Sequence, residues 1–420
     1  MNKRKTILFA VSFLPFGVCG FQNAVSQNYL GVSVGQNAVS AEQNGVLQNC
    51  DNQIVCGAER IAEYLPLIES KKVGIVANHT SVVFDKEGKK VHLVDTLLAS
   101  GVKIECIFSP EHGFRGNAEA GAKVASGKDP ETGIDVVSLY GKNKKPTPEQ
   151  TKRCDIILFD LQDVGCRFYT YISTLTYLMQ ACSETNTPLI VLDRPNPNDY
   201  IDGPVMEDKY KSFVGLHNIP VVYGLTIGEY ALMVNNEGWL EGGKKCDLKI
   251  IGLENWFHDM PSAYSLPVAP SPNLPTDRAI ALYPSLCLFE GTSVSVGRGT
   301  DTPFEIIGSP DCRGKDFTFV PRAIKGVSEN PPHKGKVCHG ENNLQIPQKQ
   351  LSLRYIIEMY DCSENKEGFF NSFFEKLAGT NRLRKQIIEG MSEDEIRSSW
   401  SEDLEKYKKI REKYLIYQRK

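Results

Sequence analysis

The chain has 420 residues, 41% hydrophobic and 24% charged, an ordinary globular composition at a length that gives two or three domains a core each. Its net charge of −3 becomes −6 without the first 26 residues, which carry Lys3, Arg4 and Lys5 and no acid. No basic stripe interleaved with aromatics appears, so nucleic acid or an anionic membrane surface is not the expected partner.

The first element is a targeting segment. Lys3 to Lys5 precede an apolar run from Ile7 to Val18, and Ala24, Val25 and Ser26 offer a small-residue cleavage site. Residues 1–26 therefore read as a signal peptide, and the protein is expected to be exported, periplasmic or secreted. Lipid attachment at Cys19 is the less favoured alternative, because Phe16, Gly17 and Val18 are a poor context for it. No later segment reaches the roughly 20 apolar residues of a membrane-spanning helix. Residues 27–57 are rich in Gln, Asn, Ser and Gly, with Gln-Asn-Ala-Val-Ser at 22–26 repeated at 36–40, and read as a disordered polar tether.

From residue 58 helix and strand alternate. Strands are predicted at Val73–Asn78, Ile104–Phe108, Cys154–Asp160, Pro188–Asp193 and Leu248–Ile251, with helices at His92–Ser100, Tyr169–Cys182 and Ile227–Trp239. Short continuous apolar strands between helices predict an α/β fold, a Rossmann-like parallel sheet covered on both faces over residues 58–277. No Gly-x-Gly-x-x-Gly follows the first strand, so no dinucleotide and no other cofactor is expected. The proline-rich stretch Pro267–Pro275 marks a boundary, leaving 278–420 as a smaller α/β domain. Ser392 with Glu395 forms a capping box, and Leu404, Tyr407, Ile410, Tyr414 and Tyr417 form the packing stripe of a terminal helix. Eleven cysteines remain after Cys19, none with zinc spacing, so no metal is expected and most read as buried thiols. Cys50 and Cys56 are spaced to close a small loop. Cys166 and Cys182 read as sharing one helix, too far apart to bridge.

In open parallel sheets ligands bind beyond the carboxyl ends of the strands, so the polar residues there are the candidates. They are Asn78 after the first strand; Glu111, His112 and Arg115 after the second; Asp160, Asp163, Arg167 and Tyr169 after the third; and Arg194 and Asn196 after the fourth. Four such loops together predict a polar, sugar-like substrate. Structural alternatives stand beside them. Asp160 has the position of a helix cap, the Asn-Pro turn after Arg194 can bond its own backbone, and His112 has an equal reading as a structural histidine. Glu111, between Pro110 and His112 in a glycine-bearing loop, has no capping or amphipathic role. In the second domain, the segment from Leu288 to Phe304 brings Glu290, Arg298 and Asp301 among glycines and hydroxyls. It reads as a loop lining an interdomain cleft, and it is neither a phosphate loop nor a nucleophile elbow.

These segments jointly resemble the exo-acting β-N-acetylmuramidases, peptidoglycan glycoside hydrolases formerly grouped as a domain of unknown function. The matching stretches are Val76–Ser81, Phe108–Gly116, Phe159–Tyr171, Leu192–Asn198, Ser271–Pro275, Phe289–Thr292 and Gly297–Asp301. The resemblance covers about residues 58 to 420. It implies an active site between a Rossmann-like domain and a smaller one. It also implies release of N-acetylmuramic acid from the non-reducing end of peptidoglycan fragments, and it puts the catalytic acid/base at Glu111. That chemistry needs a carboxylic acid beside the leaving oxygen, and a lactyl carboxylate needs an arginine fork. Arg115, Arg167, Arg194 and Arg298 are the candidates. For a second carboxylate, Asp160 or Asp163 is expected ahead of Glu290, because neighbouring loops on one sheet hold geometry better than two domains do. An amidase or esterase acting on wall fragments, or a non-catalytic muropeptide-binding protein, are the alternatives.

Overall fold

The computed structural model describes residues 53–111, 113–115, 126–260 and 264–418. The segment read as signal peptide, nearly all of the tether, Cys50 and His112 lie outside the described residues.

Seven strands build the main sheet: β1 (Lys72–Ala77), β2 (Lys103–Ser109), β3 (Gly127–Lys128), β4 (Asp135–Ser138), β5 (Ile156–Asp160), β6 (Leu189–Leu192) and β7 (Leu248–Ile251). Their spatial order is β7-β6-β5-β1-β2-β4-β3. All neighbours are parallel except the edge pair β3–β4. Without that edge strand the order is the Rossmann one, in which the chain winds outward from β1 to one side and then resumes from β5 on the other. The switch point lies between β1 and β5. The apolar runs that predicted central strands are there because both faces are covered: every residue of β5 and β6 is buried. Gly74 on β1 is required by proximity, since a Cβ there would sit 2.7 Å from Cys154 Sγ.

Helices α1 (Ile61–Ile68) and α2 (Leu93–Ala99) cover one face through Tyr64, Ile68, Leu93 and Leu97. On the other lie α4 (Tyr171–Thr185) and α5 (Ile227–Asn236), with α3 (Pro148–Lys152) beside α4. Each fully buried aliphatic or aromatic side chain contributes about 1.5–3 kcal/mol, so this doubly covered sheet is the main source of stability. Cys166 precedes α4 and does not share it with Cys182, which corrects the helix start expected from the sequence.

The smaller C-terminal domain opens with α6 (Asp277–Leu286), whose first turn is capped by Thr276. A 3₁₀ turn, Cys287–Gly291, follows. Gly291 is needed there, because a Cβ would come within 2.4 Å of the Phe374 backbone. The domain adds an antiparallel sheet of β8 (Ile307–Ser309), β9 (Phe317–Phe319) and β10 (Cys338–Glu341), with β10 central. Helices α7 (Arg354–Cys362), α8 (Phe374–Ala378), α9 (Arg382–Ile388), α10 (Glu393–Ser398) and α11 (Ser401–Arg411) complete it. A disulfide joins Cys312 to Cys362. The capping box of Ser392 and Glu395 forms as read, yet the terminal helix is broken at Ser399 and Trp400 into α10 and α11. Leu404 and Tyr407 pack from α11, whereas Tyr417 lies beyond it and donates to Asp193 Oδ2 at 2.6 Å. Among the described residues no helix is long and apolar enough to cross a membrane.

Candidate active site

Glu111 sits just past β2, two residues beyond the strand end. Its two carboxyl oxygens accept separate hydroxyl bonds, Oε1 from Tyr140 at 2.9 Å and Oε2 from Thr170 at 3.1 Å. Tyr140 lies two residues after β4, and Thr170 is the residue that precedes α4. Three loops at the carboxyl edge of one sheet therefore converge on a single glutamate. Burial, reinforced by the Glu111 charge, holds the Tyr140 phenol well above its ordinary range, so it stays a donor.

Glu111 lines a cavity of about 330 Å³, at the lower end of small-molecule sites. Its wall is aromatic. Tyr169 meets Tyr171 edge to face at 4.8 Å, and Tyr283 meets Phe304 at 5.1 Å. The Tyr169 hydroxyl is spent on the Pro270 carbonyl at 2.7 Å, which fixes the ring and leaves its apolar surface to the cavity. Phe213, Ser271, Asn273 and Phe373 complete much of the lining.

The second domain contributes Glu290, from the 3₁₀ turn after α6, and Arg298. Arg298 Nε donates to Glu290 Oε1 at 2.6 Å, and its guanidinium carbon lies 5.1 Å from the centre of the Phe304 ring. Burial works against the Arg298 charge, and the Glu290 carboxylate more than offsets this, so the group is held above its ordinary value. Among the described residues its terminal amino groups have no protein acceptor. Phe304 has φ +58°, a left-handed conformation that costs a bulky residue about 1–3 kcal/mol and persists where the surroundings over-determine it. Here its ring braces the arginine.

Of the residues expected from the sequence, Glu111, Tyr169, Glu290 and Arg298 meet in this cavity. The others do different work. Asp160 is fully buried, and Arg194 grips it bidentately, Nε to Oδ1 at 2.6 Å and Nη2 to Oδ2 at 2.9 Å. Asp163 is also buried. It accepts from the Tyr223 hydroxyl and the Gly165 amide, and burial pushes its carboxyl up to about 7. Neither aspartate is among the cavity-lining residues, whereas Glu290 shares the cavity with Glu111.

The arginines sort the same way. Arg115 forks onto Asp129 at 2.9 and 3.2 Å. Arg167 is entirely buried and donates to the carbonyls of Pro204, Ile219 and Leu377, tying the C-terminal domain to the sheet; burial lowers it to about 9. Asn78 holds Thr80 and the Tyr171 hydroxyl, and Asn196 holds the turn to Asn198 and the Leu225 carbonyl. Asp301 is exposed and pairs with Arg322. Asn78, Arg115, Arg167, Arg194, Asn196 and Asp301 are engaged in these protein contacts and are not among the residues that line the cavity.

Tyr140 was not anticipated. The strand before it, β4, is too short and mixed to stand out in the sequence, although the rule applied to the other strand ends would have singled it out. Thr170 lay inside a recognised stretch but was masked by its aromatic neighbours. Among the described residues no group of three His, Cys, Asp or Glu side chains is placed to hold a metal ion.

A family model described as exo-beta-N-acetylmuramidase NamZ, N-terminal, matches residues 73–278, and its C-terminal counterpart matches 281–417. The chain is 38% identical over 380 residues to the peptidoglycan beta-N-acetylmuramidase NamZ of Bacillus subtilis (strain 168), spanning 85% of this chain and 89% of that protein. A crystal structure of a DUF1343 family protein from Bacteroides fragilis NCTC 9343 superposes with a TM-score of 0.80 at 45% identity, covering 88% of this chain and 100% of the other. A second DUF1343 family protein from the same organism gives a TM-score of 0.73 at 28% identity, over 87% and 100%.

Proposed function

The chain belongs to the exo-β-N-acetylmuramidase NamZ family, and from that premise we propose that this glycoside hydrolase removes N-acetylmuramic acid from the non-reducing end of peptidoglycan fragments, with Glu111 as acid/base. The observation that carries the reading is one small cavity holding both Glu111, gripped by two hydroxyls, and an arginine anchored by Glu290 whose terminal amino groups have no acceptor among the described residues.

Glu111, as the acid, gives its proton to the glycosidic oxygen while the bond from that oxygen to the anomeric carbon breaks. It then takes a proton from the water whose hydroxyl ends on the anomeric carbon. The two hydroxyl donors keep the carboxyl in one rotamer through both steps. Arg298 receives the lactyl carboxylate, the group that distinguishes muramic acid from glucosamine. A planar fork suits that ligand, and Glu290 with Phe304 holds the fork before substrate arrives. The closed aromatic wall and modest volume favour a terminal sugar over a chain lying across the surface.

Export is part of the proposal. A wall substrate, the basic and apolar N-terminal segment, and a disulfide between Cys312 and Cys362 suit an oxidising compartment.

The test is an aryl β-glycoside of N-acetylmuramic acid. Release of both dye and free sugar is expected. An intact aryl glycoside together with cleavage of the muramoyl–peptide bond in a muropeptide assayed alongside it, or tight binding with no product from either, would replace this reading with an amidase or a binding protein.

A further inference from the structure

A general acid must stand beside the oxygen that departs, so the leaving side of the substrate lies at the Glu111 side of the cavity. From Glu111 a row of side chains runs to the surface. Tyr140, bonded to Glu111, has its ring 6.4 Å from Phe213, which still lines the cavity. Phe213 stacks on Tyr177 at 6.2 Å with ring planes 12° apart. Lys144 holds its ammonium 4.3 Å from the centre of the Phe213 ring. Tyr177 and Lys144 lie outside the cavity lining and are half-buried. Among the described residues no carboxylate lies within ion-pair distance of Lys144.

We propose that Tyr140, Phe213 and Tyr177 form the platform for the sugar on the leaving side of the bond, with Lys144 receiving a carboxylate carried further along that fragment. This rests on the glycosidase reading. The C–H face of a pyranose covers aromatic rings well, and such rings bind at low entropic cost. In an alternating glycan the second sugar outward again bears a lactyl carboxylate, the anion that Lys144 at the rim would meet.

The experiment compares two substrates in each enzyme: the disaccharide N-acetylmuramoyl-N-acetylglucosamine, and N-acetylmuramoyl β-fluoride, whose leaving group has no ring. The ratio of their kcat/KM values does not depend on the fraction of enzyme folded. Phe213→Ala is expected to lower the disaccharide-to-fluoride ratio about tenfold, and Phe213→Leu by less. Lys144→Gln is expected to cut the preference for a trisaccharide ending in a second muramic acid over the disaccharide about threefold, and to remove its salt dependence. An unchanged disaccharide-to-fluoride ratio in Phe213→Ala, with equal losses on both substrates, would overturn the platform. An unchanged trisaccharide preference in Lys144→Gln would remove the lysine from it. Failure of the unaltered enzyme to cleave either substrate would overturn the glycosidase reading, and the platform with it.

Discussion

At the scale of single residues, similar carboxylates take different work from their surroundings. Glu111 opens on a cavity with hydroxyl donors on both oxygens. Glu111→Gln keeps the size and removes the transferable proton, so turnover on an unactivated glycan should fall about 10²–10⁴-fold with the circular dichroism spectrum unchanged. Asp160 is saturated by Arg194 in the core. Asp160→Asn should destabilise the protein by about 3–5 kcal/mol in urea unfolding, because it strands a buried guanidinium, while activity per folded molecule is retained. A kcat loss like that of Glu111→Gln would return Asp160 to the chemistry. On the proposed reading, Arg298 separates binding from catalysis. Arg298→Ala should raise KM for muramoyl substrates and erase most of the preference over the matching N-acetylglucosamine glycoside, an effect of about 10²-fold for a lost charge-assisted pair. Equal kcat/KM on the two sugars in the unaltered enzyme would remove the lactyl carboxylate from the explanation.

At the scale of elements, the carboxyl end of the sheet is held by buried polar links that the strand pattern does not reveal. One ties α5, the loop before it and the chain end together. His258 meets Asp199 Oδ1 at 2.6 Å through Nδ1 and Glu229, on α5, at 3.0 Å through Nε2. Glu229 also takes the Ile416 amide, and Arg411 of α11 lies 3.3 Å from Nδ1. Burial lowers the affinity of the ring for its proton, but the two carboxylates more than reverse this and raise it to about 9. The folded value exceeds the ordinary one of about 6.5, so this stabilisation is fully present below pH 6.5 and is lost as pH rises through about 9. The melting temperature should therefore fall over that window, and His258→Gln should be less stable at pH 6 with a flatter profile. A parallel decline in the variant and the parent would assign the pH effect elsewhere.

At the scale of the molecule, the cavity takes its lining from both domains, Glu111 from the sheet side and Glu290 and Arg298 from the smaller domain. Arg167 bonds carbonyls on both sides, and α8, one residue past the cavity residue Phe373, packs against the turn that carries Glu290. Within the smaller domain, Cys312 and Cys362 close a loop across a separation of 50 residues. Cys312→Ser with Cys362→Ser, or reduction of the native protein, should cost about 2–4 kcal/mol of stability. An unchanged unfolding midpoint would show that the helix-to-loop contact there needs no crosslink.

How much of this was legible in sequence follows from the range of the forces involved. The alternating apolar runs determined the central strands, and with them a doubly covered parallel sheet, because burial on both faces leaves a continuous imprint over four to seven residues. The odd loop around Glu111 was legible because a glutamate there has no local work to do. Which polar residue faces the cavity was decided only by the tertiary structure. Asp160 finds its partner 34 residues away in Arg194, and Arg167 finds Leu377 210 residues away. A charge after a strand looks the same in sequence whether it meets a ligand or a distant guanidinium. The loop residues after each strand announced a polar rim, but long-range pairing consumed most of the charged ones and left Glu111 in the cavity, beside hydroxyl groups such as Tyr140 and Thr170 and with Glu290 and Arg298 from the smaller domain.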